Sequence, residues 1–569
     1  MLLKKKWIPK TEPDKLLVEK LSRELGIKPL LSTLIAHRNL LSFEEARQYF
    51  TPDYSALHNP FLMKGMERAV ERIADAIQGN HPIMVYGDYD VDGTTSVALV
   101  YTFLSQFSEK ITYYIPDRQK EGYGISTQGI DYANDNGIGL IIALDCGIKS
   151  VEKVDYAKSL GIDFIICDHH TPGEELPGAV AILNPKQEDC PYPYKELSGC
   201  GIGFKLVQAL SEKQLPDDQI HRYLDLVVTS IASDIVPLTG ENRLLAHFGL
   251  EILNHSPRPG LEALLEISGT LPPLSIGDIV FRIGPRINAV GRMAHANEAV
   301  RLLCSQDIDE ALAIARIVDD KNTLRQSYDA SITEEAIEVI ECSTDLMQRK
   351  STVLFNPAWH KGVIGIVASR LIEHFYRPTV LLTESNGMAV GSARSVRGFD
   401  LYTAISGCSD LLEQFGGHRA AAGMTLKKER IEEFRDRFEE VVTKQITGEQ
   451  LVPVIEFDAE VKTKDLTHRL LKTLHRFGPF GPENMRPVFV ARQVKNRYPP
   501  KLVGDKHLKL CIDTGGGRHL SAIGFKMGIL LDEITTAPHY DICFTLERNE
   551  WNGKVSLQLN LKDVQVGVE

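Results

Sequence analysis

From about residue 66 onward, short continuous apolar runs alternate with amphipathic stretches. The runs are PIMVYG (82–87), LIIAL (140–144), DFIIC (163–167) and AVAIL (179–183), with TTSVALVYTFLSQF and VEKVDYAKSLG between them. Apolar strands separated by helices predict an α/β fold, a parallel, doubly wound sheet with right-handed crossovers. Upstream, residues 1–60 read as short helices: TEPDKLLVEKLSRELGI has helical spacing, and Ser42-Phe43-Glu44-Glu45 has the form of a capped helix start. Residues 307–347 contain neither Pro nor Gly and repeat apolar residues at three and four, which predicts a long connecting helix. A second α/β unit follows, with strand 351–355, helix 362–375, strand 379–383 and then MAVGSARS. After about residue 452 the pattern becomes alternating, in VFVARQV, HLKLCID, HYDICFTLE and KVSLQLNLKDVQV. Turns at Asn552-Gly553 and at glycines 515–517 separate these strands, and together they predict a small OB-like β-barrel. The expected divisions are 1–60, 61–306, 307–347, 348–448 and 449–569.

Composition narrows the class without changing this picture. A chain of 569 residues has room for three to four domains at ~150 residues each. With 43% hydrophobic and 25% charged residues it is neither collagen-like nor disordered. Its nine cysteines are scattered with no C-x-x-C pair, as expected of reduced thiols in a cytosolic protein. No apolar run approaches the ~18–20 residues of a membrane span. MLLKKKWIPK lacks the apolar core of a secretory signal, so a soluble cytoplasmic protein without a membrane partner is expected. The net charge of −12 argues against a nucleic-acid partner until its distribution is seen. Residues 451–569 hold 17 Lys+Arg against 14 Asp+Glu, leaving 47 against 62 for the remainder. A mildly basic C-terminal piece is joined to an acidic body.

Much of that acid falls at strand ends, where ligands of a parallel sheet bind. Strand 82–87 runs into Asp88-Tyr89-Asp90-Val91-Asp92-Gly93, strand 140–144 into Asp145, and strand 163–167 into Asp168-His169-His170. A further apolar stretch, DLVVTSIASDIVPL, delivers Asp234. An Asp after a strand is often a helix cap and paired histidines often pack, but three such events at successive strand ends make a metal site the better reading. Converging carboxylates repel one another, and divalent cations resolve the conflict. Oxygen ligands with one or two imidazoles suit Mg²⁺ or Mn²⁺, and two ions would clamp attacking and leaving oxygens in phosphoester hydrolysis. Asp90 and Asp92 would address different ions if the backbone bends at Gly93, with Asp145 as the bridge.

The motifs GDYDVDGTTS (87–96), LDCGI (144–148), CDHH (167–170) and ASDIVPL (232–238) resemble the DHH phosphoesterase superfamily in order and spacing. WHKGVIGIVASRL (359–371), GSARS (391–395) and GGHRAAAG (416–423) resemble its DHH-associated domain. GPRINAVGRM (284–293) and the OB-like C-terminus narrow the likeness to members that degrade single-stranded DNA from the 5′ end. The resemblance implies two Mg²⁺ or Mn²⁺ ions, release of 5′-mononucleotides, and a role in recombination and repair. It also implies single-stranded DNA as substrate, with single-strand-binding protein and a RecQ-type helicase as partners. Carried over, Asp90, Asp92, Asp145, His169 and Asp234 are ligands and catalytic. Asp88 and Asp168 join the metal set and His170 the catalytic set, with Asp168 either coordinating or supporting an imidazole.

Outside the metal motifs, Arg286, Asn288 and Arg292 are expected in a glycine-bounded loop, either as phosphate anchors or in a structural ion pair. Ser392, Arg394, Ser395, Gly417 and His418 read as a phosphate-contacting loop, with His360 added through its motif. Arg492, Lys495, Arg497, Tyr498 and Lys501 on the barrel suggest backbone tracking and base stacking. Phe477, Phe480 and Phe489 read as core. SGCGIGFKLVQAL (198–210) lacks the Lys-Ser/Thr of a phosphate loop and reads as a tight helix start. Two rivals are a phosphodiesterase for oligoribonucleotides or other small substrates and a scaffold without metals.

Overall fold

A computed structural model describes residues 3–551 and 554–567, so the predicted Asn552-Gly553 turn lies outside the described residues. The chain forms two compact units, one of residues 44–324 with 477–485 and the other of 1–43, 325–476 and 486–569.

The first unit is built on a five-stranded sheet in the order Ile111–Tyr114, Ile83–Gly87, Leu140–Leu144, Asp163–Cys167, Ala181–Leu183, every pair parallel. Ile83, Val85, Leu140 and Ile142 face one buried cluster, and Met84, Tyr86, Ile141 and Ala143 face the other. Burial on both faces is why these strands are continuously apolar. The edge strand Ile111–Tyr114 has no such run: its ITYY is buried only at Ile111, so no apolar signal marked it. Helix Ile308–Glu341 runs through most of the predicted connection and is followed by the short helix Thr344–Gln348.

GPRINAVGR is a correction. It is not a loop but helix Gly284–Met293, preceded by a π-turn at Ile279–Ile283. Pro285 sits in its first turn, where a missing N–H breaks no intrahelical bond.

The second unit holds a five-stranded sheet, Gln414–Gly417, Ala421–Leu426, Met388–Arg394, Thr379–Ser385, Thr352–Phe355. MAVGSARS is therefore a strand, returned by a hairpin whose Asn386 and Gly387 both have positive φ. Ser392 and Arg394 lie on this strand and Gly417 ends another, rather than in loops. C-terminally, Val488–Val494, Tyr540–Trp551, Lys554–Val566, Arg518–Gly524 and His507–Gly515 pair in sequence. An antiparallel bridge from Asn496 to Ile512 closes the ring, as the OB-like expectation requires. Strand Lys6–Pro9, which the N-terminal helical reading did not include, pairs parallel to Val454–Phe457. Among the described residues no helix is long and apolar enough to cross a membrane.

Candidate active site

Adjacent strands Ile83–Gly87, Leu140–Leu144 and Asp163–Cys167 release their acids at one edge of the sheet. Asp234 arrives at the C-terminus of helix Leu224–Ser233. Potential ligand atoms fall into three groups, each within 4.8 Å: Asp88 with Asp90 and Asp145, Asp92 with His169 and Asp234, and Asp145 with His169 and His170. His169 Nε2 is 3.2 Å from Asp145 Oδ1, 3.6 Å from Asp234 Oδ2 and 3.7 Å from Asp92 Oδ2. Asp90 and Asp92 thus do fall to different groups, but the bend is at Asp90, which caps helix Val91–Leu104 by accepting from Gly93 N.

Burial, then the neighbouring carboxylates, raises the pKa of Asp88, Asp90 and Asp145, and lifts Asp234 to about 9. Burial holds His169 neutral by lowering its pKa. Asp88 Oδ1, Asp145 Oδ1 and both nitrogens of His169 are buried without a hydrogen-bond partner. Buried polar atoms are rarely left so. An unsatisfied oxygen-and-imidazole set with a charge excess fits divalent cations such as Mn²⁺ or Mg²⁺.

Asp168 lies outside the three groups, and His170, though in one of them, is bonded to it. Asp168 accepts from His170 Nδ1 (2.7 Å) and from the backbone of His170 and Ile148. It supports His170 rather than joining the ligand groups. Opposing burial, this bond lowers the Asp168 pKa and raises that of His170, whose Nε2 meets the Tyr123 hydroxyl at 3.1 Å.

Sequence reasoning missed how Asp92 is held. Its carboxylate accepts from Gly199 N (2.7 Å), Cys200 N (2.8 Å) and Ser230 Oγ (2.7 Å), so it sits on the start of helix Gly199–Lys213. A helix N-terminus stabilises an anion there. SGCGIGF is the helix start expected; its carboxylate guest comes from residues more than 100 positions away and left no local signal. A Cβ on Gly199 would stand 2.8 Å from the Asp145 Cβ. Gly199→Ala is therefore expected to lower activity about 10²-fold by displacing carboxylates on the scale of an ångström, with a melting temperature near that of the unaltered protein. Wild-type activity in this variant would refute the packing argument. Arg118 was also missed: its guanidinium lies 4.9 Å from the Tyr89 ring centre, and its charge bears on Asp88.

Arg286 forms the ion pair, bonding Asp319 at 2.8 Å and the Arg282 carbonyl. Asn288 and Arg292 are four apart on the same helix and share a face that excludes Arg286. The helix packs on the metal-site loop, since a Cβ on Gly291 would be 2.6 Å from the Tyr89 carbonyl. In the other unit, Ser392 and Arg394 gather at the start of helix Ile364–Phe375, where a Cβ on Gly365 would be 2.7 Å from Ser392 Oγ and 3.0 Å from Arg394. His360 lies four residues before that helix and accepts from Gly362 N. Ser395 Oγ is turned to the Phe399 and Val396 carbonyls, and His418 is exposed at the hairpin after Gly417. On the barrel, Lys495, Arg497, Tyr498 and Lys501 are exposed. Arg492 is exposed as well, and its guanidinium is paired with Glu460 (2.9 Å) and Asp541 (2.8 Å). Phe477 and Phe489 are buried as expected.

Three family models match in order: the DHH family N-terminal domain over residues 82–231, the DHHA1 domain over 349–444 and the RecJ OB domain over 457–563. The parallel sheet, its acidic edge and these matches define a DHH-family protein. The chain is 40% identical over 558 residues to the single-stranded-DNA-specific exonuclease RecJ of Bacillus subtilis, covering 97% of this chain and 70% of that one. The crystal structure of RecJ in complex with Mn²⁺ from Thermus thermophilus superposes with a TM-score of 0.85 at 26% identity, covering 99% of this chain and 80% of that one. The Mg²⁺ complex from the same organism gives 0.79 at 25%, covering 99% and 79%. The chain belongs to the RecJ family of single-stranded-DNA-specific exonucleases. The small-substrate phosphodiesterase is not favoured, since the match runs through the OB domain.

Proposed function

We propose that this chain degrades single-stranded DNA 5′→3′ to 5′-mononucleotides in recombination and repair, in the bacterial cytoplasm. The observation that carries the metal dependence is the set of buried, unpartnered atoms on Asp88, Asp145 and His169. Asp88, Asp90 and Asp145 would hold one Mn²⁺ or Mg²⁺, and Asp92, His169 and Asp234 a second. When bound, such ions supply an activated water and neutralise charge on the phosphodiester. The chain's own part is to hold the ligands rigid, Asp92 through the Gly199 and Cys200 amides. Asp168 accepts from His170 Nδ1, which orients that ring at the centre and, against burial, raises its affinity for a proton. Asn288 and Arg292 beside the Tyr89 loop, and Ser392 and Arg394 in the other unit, are assigned to the DNA phosphates, with Lys495, Arg497, Tyr498 and Lys501 along the strand. Single-strand-binding protein and a RecQ-type helicase belong to the same reading as partners.

The test uses single-stranded DNA labelled at either end, with Mn²⁺ or EDTA, beside matched duplex and RNA. Mononucleotide release from the 5′ end alone, dependent on Mn²⁺ and sparing duplex, is expected. Digestion from the 3′ end, or in EDTA, would overturn the reading. Arg394 is preset by bonds to Ser392 Oγ (3.0 Å) and the Ala393 carbonyl (2.8 Å). Arg394→Ala is expected to weaken single-strand binding about tenfold, the size of one charge-assisted contact. Metal content should stay unchanged; unaltered DNA affinity would remove Arg394 from the binding set.

A further inference from the structure

Asp234 stands at the head of a loop that does not hold its shape by itself. The next residue, Ile235, is β-branched, exposed, and at φ +60°, a conformation such side chains avoid. A backbone of this kind persists only where its surroundings over-determine it. One restraint is local and one comes from upstream: Pro237 O accepts from Asn242 Nδ2 (3.0 Å) and from the Tyr194 hydroxyl (3.1 Å). The third comes from far along the chain. Leu238 N donates to Pro482 O at 2.8 Å, and Gly481 lies so close that a Cβ there would be 3.2 Å from Leu238 Cδ2.

Residues 477–485 fall inside the stretch matched as the RecJ OB domain, between helix His468–His475 and strand Val488–Val494, yet they belong to the compact unit that carries the metal site. Asn484, 2% exposed, organises this segment by donating from Nδ2 to the Phe477 (3.0 Å) and Pro479 (2.7 Å) carbonyls. The Tyr49 hydroxyl lies 3.0 Å from Asn484 Oδ1 and 2.6 Å from Phe477 O. Arg243 stacks on Tyr49 at 3.5 Å and donates to the Gly478 carbonyl at 2.7 Å, so the segment is pinned to helix Gly240–His255, which follows the Asp234 loop directly.

We infer that residues 477–485 are a brace, lent by the OB portion of the chain, that sets the Asp234 loop in its ligating conformation, and that Asn484 is a positioning residue for the metal centre. The segment meets the ligand loop at Leu238, three residues beyond the strained Ile235. The inference rests on the metal-site reading above, with Asp234 as a ligand.

The test uses the full chain with Asn484→Asp, which keeps the shape but sets a carboxylate against two carbonyls, and Tyr49→Phe, which removes one hydroxyl and leaves the ring. Mn²⁺ affinity is read by calorimetry and amide exchange by mass spectrometry. Asn484→Asp is expected to weaken Mn²⁺ binding about tenfold or more, the size seen when groups behind a ligand are lost. Exchange should quicken over residues 234–238 while helix Leu224–Ser233 stays protected, and kcat should fall without a change in KM for DNA. Tyr49→Phe should shift both readouts in the same direction by a smaller factor, and it decides the matter if the Asp variant does not fold. A lowered melting temperature with unaltered Mn²⁺ affinity and unaltered 234–238 exchange would make the brace merely structural and overturn the inference. If the unaltered protein takes up no Mn²⁺, the metal-site reading itself falls first, a failure the wild-type titration reports separately.

Discussion

Asp145→Asn is expected to lower the rate of 5′ nucleotide release by about 10³-fold or more, the scale of losing a full charge partner at a reacting phosphate. Asp145 belongs to two of the three ligand groups, as does His169, and no other carboxylate is shared in this way. Its backbone is at φ +58°, which asparagine tolerates as readily as aspartate, and the two side chains are isosteric. The variant should therefore fold. It should melt at a higher temperature than wild type in EDTA, because Asp145 is buried among Asp92, Asp90, Asp88 and Asp234, and removing its charge relieves that repulsion. Gain of metal-free stability with loss of activity and of bound Mn²⁺ is a combination that damage to the fold does not produce. Activity within tenfold of wild type would remove Asp145 from the ligand set.

The second large effect is the response of stability to pH and metal. A carboxyl whose pKa is higher in the folded chain binds protons in excess when folded, so its contribution is fully present below the unfolded value and is lost as pH rises through the folded one. For Asp234 that window runs from 3.8 to about 9, with burial and then Asp92 as the causes. Each excess proton changes stability by about 1.4 kcal/mol per pH unit. In EDTA the protein should thus melt at a higher temperature at pH 6 than at pH 8.5, and Asp234→Asn should flatten the difference. Mn²⁺ opposes this trend, because ligands must lose their protons to bind it. At a hundredfold excess over its dissociation constant the ion stabilises by about 2.7 kcal/mol, so the gain on adding it should be larger at pH 8.5 than at pH 6. Melts in EDTA and in Mn²⁺ at the two pH values check both signs. A metal-free melting temperature that rises with pH in wild type but not in Asp234→Asn would contradict the buried-acid account.

What could be read without coordinates follows from where the information lies. Strands Leu140–Leu144 and Asp163–Cys167 have the expected boundaries because double burial writes itself as an unbroken apolar run. The strand Ile111–Tyr114 and the helix Gly284–Met293 were hidden, the first by half-exposed tyrosines at a sheet edge, the second by glycines that serve close packing, Gly284 on Ser233 and Gly291 on the Tyr89 carbonyl. The ion pairs of Arg492 were hidden too, because a basic residue in a basic stretch cannot announce its partners, and Glu460 and Asp541 are brought to it only by pairing between strands.

The order of elements and the acids and histidines of the candidate metal centre were legible in the sequence alone, because strand ends carry their acids with them and the sheet's parallel order lines those ends up. Which of those acids gather together, which one supports a histidine, and what holds Asp92 and Asp234 in place were decided by the tertiary structure. Those relations join Asp92 to Gly199, Tyr49 to Asn484 and Leu238 to Pro482. They are contacts across large separations along the chain, made by backbone amides, carbonyls and one buried asparagine, whose residue types are common everywhere and acquire a role only when packing brings them within hydrogen-bonding distance.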